Sequence, residues 1–375
     1  MINAITQLRE QAEKKFTELE LPSFKHGNGF SLDINVNWEK VFTEIKKAED
    51  AEIVADKRVK ICKLSELGEK FISKYGQTLV SAENKLLALH YATNPDATVI
   101  IIPKHSIIEE PIIINSETKS VAAAESIIVV AEEGAQAIII EIAISNEAHY
   151  KSQTIQIHAQ ANTKITYCTI HYEEEGMHSF TTKRAEVLQN ANIQWFDFAI
   201  GNGFSQIQLR SYLQDNGAEA QQYQALVGTK TQQCDINSDV FHGKSNTKSV
   251  MFAKGILSDK SRAMYRGIIR VEKDAINCQG HQRSDVLLIG EEARCNAIPV
   301  LEVENDTVSC SHATTMGQID EEQLYYLLSR GLDQDIAKQM LVIAFLEPIL
   351  QKLSHHKTRE EITNIIQQKL QKTRK

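Results

Sequence analysis

The sequence predicts a mainly β fold, in which a right-handed parallel β-helix core is flanked by N-terminal and C-terminal α-helical regions. Three observations support it. Apolar residues recur at helical spacing only before residue 94 and after about residue 320, short β-type apolar runs fill the region between, and a small-residue pair repeats through that region. We therefore divide the chain into a helical region (1–94), a β-helix core (95–312) and a second helical region (313–375).

The N-terminal region begins with a predicted amphipathic helix. Ile5, Leu8 and Ala12 follow one another at steps of three and four, which places them on one helical face. A second helix is predicted around Trp38. Ser81 is a candidate N-cap for a third helix, because its hydroxyl can accept a hydrogen bond from the first helical turn.

The β-type region carries an internal repeat of about 28 residues. A residue that tolerates the left-handed backbone conformation is followed by Ala or Thr, and the second residues are 28, 28, 27, 29 and 28 positions apart. The six pairs are Gly134-Ala135, Asn162-Thr163, Asn190-Ala191, Gly217-Ala218, Asn246-Thr247 and Asp274-Ala275. One such unit cannot bury its own inner face, so the units stack into a solenoid whose corner column holds these small residues. A β-sandwich with coincidental spacing is the alternative.

Helices return at the C-terminal end. Asp320 resembles an N-cap, and Gly331 stands where a left-handed residue ends a helix. Asp333 is placed to cap a further helix, which Pro348 is expected to disturb. Thr358 begins a predicted capping box for a last helix.

Composition excludes several classes of function. The formal net charge is -8, so the chain lacks the basic balance of a nucleic-acid-binding protein. No apolar run approaches the roughly 18 residues of a membrane helix, and the first residues lack a secretory signal pattern. The six cysteines form no CxxC pair, which argues against a zinc ribbon or a thioredoxin motif. We expect a cytoplasmic protein without membrane or nucleic-acid partners.

Catalytic motifs are also missing. Gly243-Lys244-Ser245 resembles the end of a phosphate-binding loop, but Ser238 stands where that loop requires its first Gly. We expect no nucleotide hydrolysis by this chain, and we assign no catalytic or cofactor-binding residue. A carbohydrate-active enzyme of the lyase type is an alternative that rests on the β-helix fold alone.

One segment carries candidate ligands. Cys310 and His312 are two residues apart, so in an extended strand both side chains point to the same face. A thiolate and an imidazole in that arrangement can share a soft metal or a sulfur species. Cys278 and His281 form a second Cys/His pair, but the intervening Gly280 suggests a turn.

The segment that begins at Cys310, CSHATTMGQIDEEQLYYLLSRGLDQDIAKQMLVIAFLEPIL, resembles the C-terminal core of the SufB/SufD family, the scaffold proteins of iron–sulfur cluster assembly. Weaker similarities lie upstream, at Glu110-Pro111-Ile112, Asp239-Val240-Phe241-His242, Lys254-Gly255, Ala297-Ile298-Pro299 and Leu301-Glu302. The resemblance therefore extends from about residue 95 to 350. Two departures from the SufB pattern favour the SufD branch. SufB-like chains have Glu after the His, where this chain has Ala313, and a functional Cys where this chain has Ser284.

The resemblance implies a non-enzymatic scaffold subunit. Such a subunit pairs with a SufB-like paralogue through the β-helix and binds a SufC-like ATPase through its C-terminal helices. ATP would therefore act only through SufC, and the corresponding partner-binding residues here are Leu324, Leu327, Leu328, Arg330, Gly331 and Phe345. A nascent iron–sulfur cluster would form transiently at the subunit junction, with His312 as the expected ligand and Cys310 close to it. A flavin has been linked to the family complex, but no residue here marks a flavin site. A self-pairing SufB-like scaffold is the remaining alternative.

Overall fold

The computed structural model describes residues 4–24, 30–32, 34, 36–75, 83–118, 120–145, 149–173, 175–201 and 203–372. They form a parallel β-solenoid with helices at both ends, which confirms the predicted fold class. None of the helices within these ranges is long and apolar enough to cross a membrane.

The N-terminal region is helical with short strands that the sequence did not predict. Its elements are α1 (Ala4–Glu18), α2 (Trp38–Glu44), β1 (Lys46–Lys47), β2 (Glu52–Val54), β3 (Lys60–Lys63), a 3-10 turn (Leu64–Glu66), α3 (Glu69–Tyr75) and α4 (Lys85–Thr93). The N-cap of α4 is Asn84, whose side chain accepts a hydrogen bond from the backbone of Leu87. The predicted cap, Ser81, lies outside the described residues.

The solenoid strands alternate between two sheets. They are β4 (Thr98–Ile102), β5 (Ile112–Thr118), β6 (Ala122–Ala131), β7 (Gln136–Ser145), β8 (Tyr150–Ala159), β9 (Lys164–Glu173), β10 (His178–Val187), β11 (Asn192–Ala199), β12 (Phe204–Leu213), β13 (Glu219–Gly228), β14 (Gln233–His242), β15 (Lys248–Leu257), β16 (Arg262–Val271), β17 (Gln279–Leu288), β18 (Arg294–Val303) and β19 (Ser309–Gly317). From β4 onward even-numbered strands pair in parallel with even and odd with odd, so each rung contributes one strand to each sheet. In the described chain these sheets have ten and nine strands. The last strand runs to Gly317, past the predicted boundary at 312.

The repeat pairs form the predicted corner column, with one correction. Each small residue accepts a hydrogen bond from the chain one rung later, as in Lys164 N to Ala135 O and Asn192 N to Thr163 O. The sixth member is Cys278 rather than Ala275, because Asn277 adopts the left-handed conformation and Ser309 N donates to Cys278 O. Three extra residues in that turn displace the pattern.

Helices cover the outer faces of both sheets. The C-terminal helices are α5 (Glu321–Ser329), α6 (Gln334–Leu350) and α7 (His356–Lys372). Apolar residues of α6 and α7 pack on the nine-stranded sheet, whereas α2 and α4 lie on the ten-stranded one. Asp320 and Asp333 cap α5 and α6 as predicted. Pro348 lies inside α6, which continues beyond it only to Leu350.

The start of the last helix also differs from the prediction. α7 begins at His356, so Thr358 lies inside it rather than at its cap. His355 takes the capping position, where its Nδ1 accepts a hydrogen bond from the backbone N–H of Thr358 at 3.4 Å and contacts the Thr358 hydroxyl at 2.8 Å.

Candidate functional site

The C-terminal end of the solenoid is open. β18 and β19 are the last strands of their sheets, and within the described chain nothing pairs with the outer edge of either. Nearly every residue of β19 is exposed, although its in-register neighbours on β17 are largely buried at their inward positions. The strand contains neither a charged residue nor a proline. Such an edge is competent to pair with another strand, because nothing on it opposes that pairing.

His312 stands at the top of a column of inward-facing residues. The parallel register of the nine-stranded sheet aligns it with seven others, Ile112, Ile139, Tyr167, Trp195, Gln222, Met251 and Gln282. Each of those seven is at most 3% exposed, whereas His312 is exposed. An imidazole in an interior position is therefore presented to the outside, because the solenoid ends there.

Cys310 shares the inward face with His312, as the spacing predicts. It is half-buried and packs against the apolar interior, near Gly280 of β17. Burial raises the pKa of the Cys310 thiol above its ordinary value. In the isolated chain this Cys is a thiol, and it becomes a metal ligand only with loss of its proton.

The second Cys/His pair is not brought together. Cys278 is buried at the corner, where its Sγ lies 3.2 Å from the Thr247 hydroxyl. His281 points outward and its Nδ1 lies 2.9 Å from the Ser311 hydroxyl. Across the described residues no three His, Cys, Asp or Glu side chains are grouped to hold a metal ion. Cys310 and His312 therefore supply at most two ligands, so a complete metal site would need ligands beyond this pair.

The predicted partner-binding residues differ in how far their side chains are exposed. Leu324 and Leu327 of α5 are half-buried, whereas Leu328 is 36% exposed. Arg330 and Gly331 end the helix, with Gly331 at φ 85°, and both are exposed.

Phe345 is the predicted residue that contacts the solenoid sheet. It lies half-buried on α6, and the centre of its ring is 4.0 Å from the Lys254 ammonium of the nine-stranded sheet. Lys254 in turn pairs with Asp285 at 3.4 Å. Phe345 therefore fixes α6 to the solenoid.

Sequence reasoning missed the most exposed apolar side chains of this region. Tyr325 and Tyr326 of α5 are 74% and 55% exposed, and Ile336 and Met340 of α6 are 49% and 47% exposed. The adjacent tyrosines were the available signal, since aromatic side chains rarely face water without a partner. Together these four residues form what we call the α5/α6 apolar surface.

The sequence also gave no sign of a charged network inside the solenoid, on strands β9 to β11. Lys183 and Asp197 form a fully buried ion pair, which His171 joins through Asp197. Burial acts to raise the pKa of Asp197, but Lys183 and His171 together hold it below its usual value. Because these charges are paired and enclosed, their role is structural.

Comparison with known proteins finds relatives that align with most of the chain. A family model described as SUF system FeS cluster assembly, SufBD core domain, matches residues 112–345, more than half of the chain. A protein of Staphylococcus saprophyticus named iron-sulfur cluster assembly SufBD family protein is 26% identical over 355 residues, which are 92% of this chain and 76% of that relative. Proteins of the same name from Staphylococcus epidermidis and Staphylococcus aureus are 25% and 26% identical with the same coverage.

Proposed function

Because the chain belongs to the SufB/SufD family of iron–sulfur cluster assembly proteins, we propose that it is a SufD-like scaffold subunit that catalyses no reaction itself. It pairs with a SufB-like paralogue and docks a SufC-like ATPase. The observation that carries the proposal is the uncovered strand β19, which presents His312 at the open end of the solenoid.

Pairing with the paralogue takes place at the open end. The outer edge of β19 offers unpaired backbone groups, and an edge strand of a second β-helix can satisfy them by continuing the sheet. Ile298, Val303 and Met316 are 42%, 38% and 41% exposed at this end, which adds apolar area for burial. A partner strand there would extend the nine-stranded sheet, whereas Pro299 interrupts the edge of β18.

A nascent iron–sulfur cluster is the cargo of this junction. His312 offers a neutral imidazole nitrogen, a ligand suited to iron, and Cys310 offers a nearby sulfur. The remaining ligands come from the SufB-like partner, whose branch carries the Glu and Cys that are absent here at Ala313 and Ser284. Replacing a thiolate by an imidazole raises the reduction potential of a cluster and so changes its stability.

The α5/α6 apolar surface is the proposed docking site for the SufC-like ATPase. The two tyrosines are the side chains that most often dominate binding energy when they become buried. ATP acts only through that partner. Gly243-Lys244-Ser245 lies in a turn that leads into strand β15, whereas a phosphate-binding loop leads into a helix. We assign no flavin-binding residue and propose neither nucleic-acid nor membrane partners. A reducing compartment such as the cytoplasm suits the six cysteines, none of which forms a disulfide within the described chain.

The test compares two histidines at the same end of the molecule. His312→Ala should lower cluster assembly in the reconstituted complex by at least tenfold and leave complex formation intact. His281→Ala is the matched control, because His281 lies one rung away on the opposite face of the sheet and should leave assembly unchanged. Equal assembly by the His312→Ala variant and the wild type would contradict the ligand role. A stable homodimer that assembles clusters alone would favour the self-pairing alternative.

A second test addresses the ATPase. Tyr325→Ala should weaken binding of the SufC-like partner by at least tenfold, since the tyrosine loses its contact area on the α5/α6 apolar surface. The control is Tyr212→Ala on β12, because Tyr212 belongs to the ten-stranded sheet and α6 packs on the nine-stranded one. Calorimetric titration of the complex measures both. Undiminished affinity of a folded Tyr325→Ala variant would exclude this surface.

A further inference from the structure

Directly beneath His312 the solenoid interior holds a buried amide without partners. Gln282 is the residue of β17 that pairs with His312, and it is 3% exposed. Neither Oε1 nor Nε2 of its side chain has a hydrogen-bond partner within the described part of the chain. Buried polar groups are nearly always hydrogen-bonded, so the amide at this position is available to a further partner.

The opposite sheet fixes where this amide lies. Gly267 is on β16, and a Cβ atom added there would stand 2.1 Å from Nε2 of Gln282. The side chain of Gln282 therefore crosses the interior and fills the space that a larger residue at 267 would take. Its movement is restricted, which is the property expected of a residue that orients another.

A second unpartnered group lies close by. Tyr265 precedes Gly267 by two positions on β16 and so faces the same interior, and its buried hydroxyl also lacks a hydrogen-bond partner in the described chain. Burial raises the pKa of Tyr265, while polar interactions with the Gln282 and Ser238 side chains oppose that rise, so the Gln282 amide and the Tyr265 hydroxyl lie close to each other without a hydrogen bond of normal geometry. The polar atoms below the last rung therefore form one local group.

The face to which His312 points is supported by its neighbours on β19. Thr314, two residues later, contacts the inward Ser284 of β17 at 3.0 Å between hydroxyl oxygens. Cys310, two residues earlier, packs on the apolar interior. Since alternate residues of a strand share a face, His312 projects over Gln282, about 4.8 Å along the stacking direction. The backbone of His312 belongs to the ladder between β17 and β19, but its ring makes no hydrogen bond to the described residues.

We infer that Gln282 is a positioning residue for His312. One ring nitrogen of His312 donates its N–H to the Gln282 amide oxygen, and the other nitrogen therefore keeps its lone pair toward the subunit junction. Histidines that bind metals commonly donate their second ring N–H to an oxygen, which selects the tautomer and fixes the ring plane. The inference deepens the proposed function and rests on it, because iron is the group that the free nitrogen would meet.

The first measurement needs no iron. Nitrogen-15 shifts of the His312 ring in the full chain, labelled at histidine, report which ring nitrogen carries the proton at a fixed pH of about 8, above the ordinary pKa range of histidine. The His312 signals are identified by their loss in His312→Asn, and His281 serves as a spectator. We expect one tautomer to dominate in the wild type and the two to approach the mixture of free imidazole in Gln282→Met. Gln282→Glu keeps an oxygen at this position and should restore the dominant tautomer.

Gln282→Met keeps the length of the side chain and removes only unsatisfied polar atoms, so it is expected to fold. Gly267→Ala provides an independent route, because its added methyl group displaces the amide from the opposite sheet. Both variants should change the tautomer in the same direction. If His312 shows the same tautomer in the wild type and in both variants, the positioning role is wrong.

The second measurement is retention of the cluster by the complex with the SufB-like paralogue. Loss of the orienting amide should lower retention by roughly tenfold to a hundredfold in Gln282→Met. Combining it with His312→Ala should add nothing further, since both changes remove one ligand interaction. A tautomer that shifts as expected while His312→Ala assembles clusters normally would defeat the proposed function and leave the positioning role standing. If Gln282→Met assembles clusters normally and His312→Ala does not, the positioning role is wrong and the proposed function stands.

Discussion

The two ends of the solenoid face the same physical problem and differ in how they meet it. A stacked rung leaves its outer edge and part of its interior uncovered at each end. At the N-terminal end β3 pairs antiparallel with β4, and β2 pairs antiparallel with β5, so the chain itself closes both sheets. At the C-terminal end no described strand follows β18 or β19.

Side-chain chemistry follows the same division. The closing strand β3 and the turn before it carry Lys57, Arg58, Lys60 and Lys63. Lysines on an edge strand oppose pairing with another sheet, because their charges would have to be desolvated. β19 has no charged residue. The N-terminal end is therefore built to terminate both sheets, whereas at the other end the edge of β19 lets a second molecule continue the nine-stranded sheet.

The largest expected difference between the ends is in stability. Val99 of β4 pairs with Cys62 of the closing strand and is fully buried in an apolar cluster with the N-terminal helices, so Val99→Asp places an unpaired carboxylate there and should lower the free energy of unfolding by about 3 kcal/mol. Ala313→Asp on the exposed strand β19 should change it by less than about 0.5 kcal/mol, since Ala313 is exposed. Urea denaturation of the isolated chain measures both. Similar losses at the two positions would show that the open end is covered in the isolated chain.

Lowering the pH should destabilise the N-terminal end of the solenoid. His90 of α4 is fully buried between the hydroxyls of Ser126 and Ser152, at 2.8 and 2.9 Å. Burial lowers its pKa to about 3, whereas the unfolded value is near 6.5. The neutral ring therefore contributes its full stability above pH 6.5, and this contribution is lost progressively as the pH falls toward 3.

The expected loss from His90 is about 2–3 kcal/mol between roughly pH 6.5 and 4.5. His90→Gln keeps an uncharged hydrogen-bonding side chain and should remove most of this slope. Denaturant midpoints of wild type and variant across that pH range provide the measurement, with values at about pH 8 as the reference. Parallel curves for the two proteins would assign the acid sensitivity to other groups.

How far the sequence predicted the molecule also differs between the two ends. The repeat predicted the solenoid and five of its six corner positions, because a left-handed residue followed by a small one is a local requirement of the turn. It failed at Ala275, where three inserted residues shifted the pattern to Asn277 and Cys278. The closing strands β2 and β3 were missed, since strands of three and four residues carry too little periodicity to detect.

The candidate site was predictable only in part. Alternation along an extended segment placed Cys310 and His312 on one face, and the structure agrees. Gln282 could not be found in the same way, because its position under His312 depends on the register of strands about thirty residues apart. Tyr325 and Tyr326 were overlooked in favour of the leucine stripe of α5, which in the structure is partly turned away from solvent.

Pairing should respond to a charge at one end only. Met316→Lys adds to β19 the kind of residue that protects β3, and it should weaken association with the SufB-like paralogue by about tenfold, or about 1.4 kcal/mol. Ile61→Lys is the matched control, since Ile61 is 40% exposed on the closing strand and Met316 is 41% exposed. Sedimentation of the mixed subunits measures both affinities. Equal weakening by the two variants would mean that the paralogue does not bind at the open end.

The smallest expected effect is the converse change at the closed end. Lys60→Val removes an edge charge from β3 and places a further apolar side chain before Ile61 and Cys62, on a strand that has one free edge in the described chain. Stability should change by no more than about 0.5 kcal/mol, because Lys60 is exposed. The variant should nevertheless self-associate weakly as its concentration rises, since the edge is no longer protected. Lys57→Val changes a residue of the turn before the strand, so light scattering should show this variant to be as monodisperse as the wild type. If Lys60→Val also stays monodisperse, the short length of β3 and its antiparallel pairing already suffice to end the sheet, and the difference between the two ends lies in geometry rather than in charge.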